Sequence, residues 1–188
     1  GARVYLQRDD GSGGMVTMAR TDGAGAYAVQ VAPGAYRVTP VADGHALLPA
    51  QKVTVASATT RDLSVGGGAK LTYTVKDGAG TPLPARLVFV PASTPPALPV
   101  AFAERRYPFG AALTVFSTTG TGTARLPAGE YTITASRGFE YEIATAKLTL
   151  AHGDDKSAAF TLKRSVDTTG YMCGDFHVHA MWSPDSSD

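Results

Sequence analysis

Two histidines near the end of the chain have a spacing that suits a shared metal ion. Side chains in an extended strand alternate between its two faces, so His177 and His179 point the same way, and Asp175 shares that face. Two imidazole nitrogens on one face can bind one divalent ion, with nearby carboxylates as further ligands or as hydrogen-bond partners of the rings. We predict His177 and His179 as metal ligands, with Asp175 and Asp185 as further candidates. The alternative, a chance pair on a partly buried strand, stays open.

This stretch resembles the opening motif of the polymerase and histidinol phosphatase (PHP) superfamily of metal-dependent hydrolases. The family motif is Asp-x-His-x-His followed by Ser-Asp-Gly, and the chain has DFHVH at residues 175–179 and SPD at residues 183–185. The proline in the second element, and the serine that follows Asp185, depart from the family pattern. The segments 129–141 and 167–170 look like the β-sandwich lead-in of the CehA/McbA-type branch of that superfamily.

The resemblance implies a parent hydrolase that acts on phosphoester, carbamate or related ester bonds. In such an enzyme His177 and His179 would be the first two ligands of zinc or manganese, and the ion would convert a bound water into a hydroxide nucleophile at neutral pH. The other ligands would come from later strands of a barrel that needs about 200 more residues. We therefore expect the metal cofactor in the parent enzyme only, and no complete catalytic site within these residues.

Bulk composition excludes several classes of partner. The 188 residues are 44% hydrophobic and 18% charged, which is typical of a folded globular protein. A formal net charge of +1, without any long basic run, predicts no nucleic-acid partner. No apolar stretch reaches the roughly 18–20 residues that a membrane span requires, so we expect no membrane insertion. The single cysteine, Cys173, cannot form a disulfide within the chain, so cysteine usage is silent on the redox compartment.

Short strands dominate the rest of the sequence. Short runs rich in Val, Thr, Tyr and Leu are separated by clusters of Gly, Pro and Asp, and no long window keeps the helical period of about 3.6 residues. This pattern predicts an all-β chain of sandwich modules, without any helix longer than two turns. The predicted strands are residues 3–6, 27–31, 36–40, 52–56, 71–76, 86–90, 131–135 and 147–150.

An internal repeat places the same elements twice in the same order. Residues 2–6 resemble residues 85–89, and residues 33–39 resemble residues 128–134. We interpret the repeated glycines as turn positions, and each Gly-x-Tyr element as a turn that buries a ring at the start of the next strand. The residues predicted as structural in this way are Gly25, Gly34, Tyr36, Gly129 and Tyr131.

The first copy resembles the carboxypeptidase regulatory-like, transthyretin-type β-sandwich modules, through the runs GARVYL, TDGAGAY and APGAYRV. Such modules sit beside catalytic domains of exported proteins as spacers or contact surfaces. The resemblance implies two tandem Ig-like or transthyretin-like sandwiches, residues 1–66 and 67–165, in an extracellular or periplasmic protein. Residues 166–188 would then be a linker and the first strand and motif of an absent hydrolase barrel.

Two segments are predicted to govern how the modules meet their surroundings. The run Gly66-Gly67-Gly68 follows one strand-like stretch and precedes another, which predicts a linker at the module boundary. Residues 91–110 form a proline-rich insertion, and prolines cannot donate to a central ladder. We expect this insertion in an edge or loop, where it could contact a neighbour.

The repeat also predicts an open sheet edge in the first module. The second copy has a strand and turn, residues 71–83, ahead of the segment that matches residues 2–6, and the first copy has no counterpart. Unpaired edges recruit strands from other molecules.

Two hypotheses of different class follow. In one, the chain is the N-terminal part of an exported PHP-type hydrolase, and its partner is the C-terminal catalytic domain. In the other, it is a structural protein that binds neighbouring copies of itself head to tail, by donating a strand from around residues 171–180, and can extend into a filament.

Overall fold

The computed structural model describes residues 1–103, 112–172 and 174. Within these residues eleven strands form three sheets, and the one helical element is a short 3-10 turn at Val100–Phe102. The prediction of an all-β chain is confirmed. The segment that would hold the first strand of a hydrolase barrel lies outside the described residues.

The strands form two consecutive groups along the chain, and four strands of the second group are arranged like the four strands of the first. The first group comprises β1 Arg3–Arg8, β2 Met15–Arg20, β3 Gly34–Val41 and β4 Gln51–Val55. The second comprises β5 Gly68–Asp77, β6 Ala85–Pro91, β7 Leu113–Ser117, β8 Thr121–Pro127, β9 Gly129–Ser136, β10 Ala144–Leu150 and β11 Asp155–Leu162.

The second group is a complete sandwich of two sheets. One sheet has the order β10-β9-β6-β7 and the other the order β11-β5-β8. Alternate residues of both sheets point into one core, because side chains alternate along a strand and each sheet turns its apolar face inward. The core includes the fully buried Leu71 and Val75 of β5, Phe89 of β6, Ile133 of β9 and Leu162 of β11.

The first group forms only one sheet, with the order β2-β1-β3-β4. Its inner face carries Val4, Leu6, Tyr36 and Val38, which are all buried. The layer that covers them consists of extended segments without ladder pairing. The first module therefore differs from the predicted two-sheet sandwich.

Strand registers show that the two groups are built on one plan. In the first, Leu6 lies opposite Val38 and Gly34 opposite Val55. In the second, Phe89 lies opposite Ile133 and Gly129 opposite Leu150. Strands β1 to β4 thus correspond to β6, β7, β9 and β10. The strands of the second group that have no counterpart among the described strands of the first are β5, β8 and β11.

Residues 27–31 were predicted as a strand, and this prediction is wrong. By the register just given, they correspond to β8, which pairs antiparallel with β5 in the second group. No described strand of the first group takes the place of β5, so residues 27–31 have no neighbour to pair with. Tyr27, Val29 and Val31 still pack on the inner face, as their alternation predicts.

The triple glycine at 66–68 is a closely packed junction, which corrects the prediction of a linker. A Cβ atom added at Gly66 would lie 2.6 Å from the carbonyl oxygen of Ala46, and one at Gly68 would lie 2.6 Å from that of Gly44. Backbone hydrogen bonds join Ala46 to both Gly66 and Gly67. The chain can pass through this point only because these residues have no side chains.

The described part of the proline-rich insertion packs on the chain's own first module. The Phe102 ring stacks on Tyr5 of β1, with 4.0 Å between ring centroids and 7° between their planes. Both residues are buried, together with Val41, on the outer face of the first sheet. The insertion therefore links the two modules, whereas the sequence suggested contact with a neighbour.

Candidate functional site

The predicted metal ligands cannot be placed in the fold. His177, His179, Asp175 and Asp185 all lie outside the described residues. Among the residues that are described, no group of three or more His, Cys, Asp or Glu side chains could hold a metal ion. No described helix is long and apolar enough to cross a membrane.

The segment that leads toward these residues is tied to the second module. The Thr168 hydroxyl donates a hydrogen bond to a carboxylate oxygen of Glu140, and Arg164 lies 3.4 Å from the other oxygen. The backbone N–H groups of Ser165 and Val166 both donate to the Glu140 carbonyl. These contacts fix the direction in which the chain leaves the sandwich.

The electrostatics of this anchor follow from its hydrogen bonds. The Thr168 hydroxyl holds the pKa of the Glu140 carboxyl below its ordinary value, and the positive charge of Arg164 acts in the same direction. Both groups favour the ionised carboxylate. The stretches 129–141 and 167–170, which were set apart by the family resemblance, are thus in direct contact at Glu140 and Thr168.

The first module contains a groove of about 860 Å³. Its floor is the inner face of the sheet, and its walls are the unpaired segments 26–31 and 56–63. The floor residues are Val4, Leu6, Val38, Pro40, Val53 and Val55. In the second module the corresponding space is filled by β5, which lies between β8 and β11.

A tyrosine connects the two walls of the groove. The Tyr27 hydroxyl donates a hydrogen bond of 2.8 Å to the Arg61 carbonyl on the opposite wall. Partial burial raises the pKa of Tyr27, and the negative charge of Asp62 raises it further, so the ring stays protonated and able to donate. The walls are therefore held together by a side chain, where the second module has backbone ladders.

The repeated glycines and tyrosines lie at turns and strand starts. The Tyr36 hydroxyl donates to the Ala32 carbonyl, and the Tyr131 hydroxyl donates to the Pro127 carbonyl, at 2.5 and 2.9 Å. Both tyrosines are buried near the start of a strand that opens with Gly34 or Gly129. Gly25 has a φ of +88°, in the left-handed region that glycine adopts without strain.

Two histidines outside the strands, His45 and His152, contact the junction glycines. His45 Nδ1 lies 3.0 Å from the Gly66 carbonyl oxygen, and His152 Nδ1 accepts a hydrogen bond from the Gly68 N–H. One histidine comes from each module. Their positions next to glycine turns gave no sign of this role, because the contact spans residues that are far apart in sequence.

Comparison with known proteins assigns no family. No family model matches the chain, and no curated protein matches it. Among solved structures, the chain has a TM-score of 0.40 and 16% identity to the Bacillus anthracis TIE protein, over 87% of this chain and 31% of that one. It has a TM-score of 0.40 and 15% identity to the minor pilin of Streptococcus agalactiae, over 92% and 87%. Catechol 1,2-dioxygenase from Acinetobacter gives 0.40 and 15%, over 58% and 57%.

Proposed function

We propose that the chain is a structural, non-catalytic spacer of an exported protein, in which two β-sandwich modules are locked together at a fixed angle. The observation that carries this proposal is the junction. The stacked rings of Tyr5 and Phe102 close one side of it, and the packed glycines at 66–68 close the other. A spacer of this kind holds whatever follows the second module at a defined distance and direction.

The junction supports stiffness because two kinds of contact, a ring stack and closely packed glycine backbone, meet there. Burial of an aromatic ring against another ring stabilises a contact by packing and by ring geometry. The glycine contacts add backbone hydrogen bonds, which fix the chain path and leave little room for rotation. Interfaces between domains within one chain are mobile by default unless they are tightly packed. Two separate sets of contacts make hinge motion costly here.

The test measures the distance distribution between the modules. Spin labels at the exposed Thr54 of β4 and Thr161 of β11, with Cys173 replaced by Ser, report one distance per molecule. A stiff spacer gives a narrow distribution, and Phe102→Ala broadens it. Val100→Ala is the matched control, because Val100 is in the same 3-10 turn and 96% exposed, whereas Phe102 is 4% exposed. A broad distribution in the unchanged protein would refute the proposal.

A second candidate function is the one that the family resemblance implies, with the spacer as the N-terminal part of a metal-dependent hydrolase. The anchored exit at Glu140 favours it, since a fixed exit would orient a following catalytic domain. The reading frame beyond Asp188 tests it directly. Further His, Glu and Asp residues spaced over a barrel would support the hydrolase, and a stop codon would exclude it.

A further inference from the structure

The two walls of the groove in the first module lack the strand that joins their counterparts in the second. In the second module, β5 pairs antiparallel with β8 on one side and parallel with β11 on the other. The walls 26–31 and 56–63 correspond to β8 and to the stretch that leads into β11, but neither has ladder pairing within the described residues. Extended backbone next to an apolar floor is a template for one more strand.

We propose that this groove binds residues 175–182 of a second copy of the chain, as the missing middle strand. The sequence of that segment is DFHVHAMW, with apolar residues at four alternate positions, Phe176, Val178, Ala180 and Trp182. A strand that is buried on one face requires this pattern. The strand β5 fills the second module with the same alternation, through Ala69, Leu71, Tyr73 and Val75.

The end of the described chain is free to reach another molecule. Tyr171 and Met172 are 82% and 98% exposed, so the segment leaves its own sandwich without packing on it. The other apolar alternations of the described strands already face a core. Residues 175–182 have the required pattern and follow an exposed stretch of the described chain.

Size complementarity sets the register of the bound strand. In the second module Tyr73 lies opposite Gly122, and a Cβ atom on that glycine would clash with the Tyr73 ring. The residue of the first module that corresponds to Gly122 is Tyr27. A donor strand must therefore place a small residue where β5 has tyrosine, and Ala180 is the small residue of the four.

The adjacent inward position, Val178, agrees with this register. With Ala180 in the place of Tyr73, Val178 takes the place of Leu71 and lies against Val29, where the second module pairs Leu71 with Ala124. Each pair then combines side chains of similar total size, as close packing requires. The polar His177 and His179 take the places of Lys70 and Thr72, on the face of β5 that points away from the core.

The hydrogen bond across the groove must open before the strand enters. The Tyr27 hydroxyl bridges to the Arg61 carbonyl, and in the proposed register that carbonyl lies beside the incoming backbone. A ladder replaces one side-chain bond with several backbone bonds. Because the donor and the acceptor are different segments of the chain, the exchange is head to tail, and it extends into a filament where the rotation between copies does not close a ring.

The experiment uses Trp182, the only tryptophan of the chain, as its reporter. Assembly at rising concentration should shift its emission to shorter wavelength, while light scattering shows masses above the monomer. Val178→Asp should abolish both changes, and His177→Asp, on the outward face, should leave both in place. Ala180→Tyr should abolish assembly, and adding Tyr27→Gly should restore it, because the pair then matches Tyr73 and Gly122.

Four outcomes would overturn the proposal. A monomer up to the solubility limit excludes a second copy, and a blue-shifted monomer shows that the tail binds its own groove. Equal effects of Val178→Asp and His177→Asp exclude a strand buried on one face. A synthetic peptide of residues 175–182 should compete with the tail, and assembly that persists in its excess would show that the groove is not the binding site.

Discussion

Tyr36 and Tyr131 show how one repeated side chain can hold a turn. Each ring is buried, and each hydroxyl donates to a carbonyl four residues earlier in the chain. The accepting residues are an exposed Ala32 and a half-buried Pro127, so each bond contributes the modest net amount typical of an intramolecular hydrogen bond. The Gly-x-Tyr spacing predicted a buried ring, but not its hydrogen-bond partner, since the partner depends on the path of the turn.

Tyr36→Phe and Tyr131→Phe should each lower the free energy of unfolding by about 0.5–1.5 kcal/mol, the net contribution of one intramolecular hydrogen bond. Urea unfolding followed by circular dichroism measures the change. Tyr171→Phe is the control, because Tyr171 is 82% exposed, and it should leave the unfolding curve unchanged. A loss as large in Tyr171→Phe would mean that the effect is not caused by the hydroxyl bonds.

The histidine pair at 177 and 179 should bind zinc or manganese weakly or not at all in this chain. Two imidazoles provide half of a four-coordinate shell, and the free energy of metal binding depends on a complete set of ligands. Isothermal titration calorimetry measures the affinity. Stoichiometric binding below about 1 μM that His177→Ala abolishes would contradict this prediction and indicate a site shared between chains.

The alternation of apolar and polar residues predicted some strands and missed others. It also predicted one strand that does not form, because it lacks a pairing partner. The strands β1, β3, β4, β5, β6, β9 and β10 were found because bulky apolar residues alternate within them. The strands β2, β7, β8 and β11 were not predicted, since bulky apolar residues alternate weakly in their sequences. Residues 27–31 alternate clearly and still form no strand, because a ladder needs a partner that the sequence pattern alone does not reveal.

The anchor at the end of the second sandwich should loosen in acid. The pKa of Glu140 is lowered from its ordinary value of 4.5, so the contacts are fully present above that value and are lost as pH falls through the lower pKa of the folded state. Hydrogen exchange of residues 163–170 should speed up below pH 4.5 relative to the β-sheet core, after correction for intrinsic rates.

Two variants separate this effect from general acid unfolding. Glu140→Gln cannot ionise, so its exchange at residues 163–170 should be fast at neutral pH and should lose the acid-dependent step. Glu142→Gln, which changes a neighbouring carboxylate, should keep both the slow exchange and the step. Identical pH profiles in the two variants would show that Glu140 does not hold the segment.

The arrangement of the two modules was harder to predict from the sequence than the strands or the turns. The repeat correctly indicated that residues 71–83 have no counterpart in the first copy, and the groove is found at that place. The stack of Phe102 on Tyr5 and the packing of glycines 66–68 could not be predicted, because each joins residues distant in sequence. The sequence of a glycine run is the same in a flexible linker and in a closely packed junction, so the sequence alone does not distinguish them.

The substitution Gly66→Ala distinguishes a loose linker from a packed junction, because it should raise the free energy of unfolding in the first case and lower it in the second. In a loose linker, alanine stabilises a protein by about 0.4–1 kcal/mol, because the unfolded chain loses conformational entropy. At a packed junction the new Cβ would lie 2.6 Å from both Cβ and the carbonyl oxygen of Ala46, so the backbone must move, at about 1–3 kcal/mol. We expect Gly66→Ala to be destabilising in urea unfolding.

Gly78→Ala is the control, since no atom lies within 4 Å of its new Cβ, and it should be neutral or slightly stabilising. If both substitutions stabilise the protein equally, the modules are joined by a flexible linker and the spacer is not stiff.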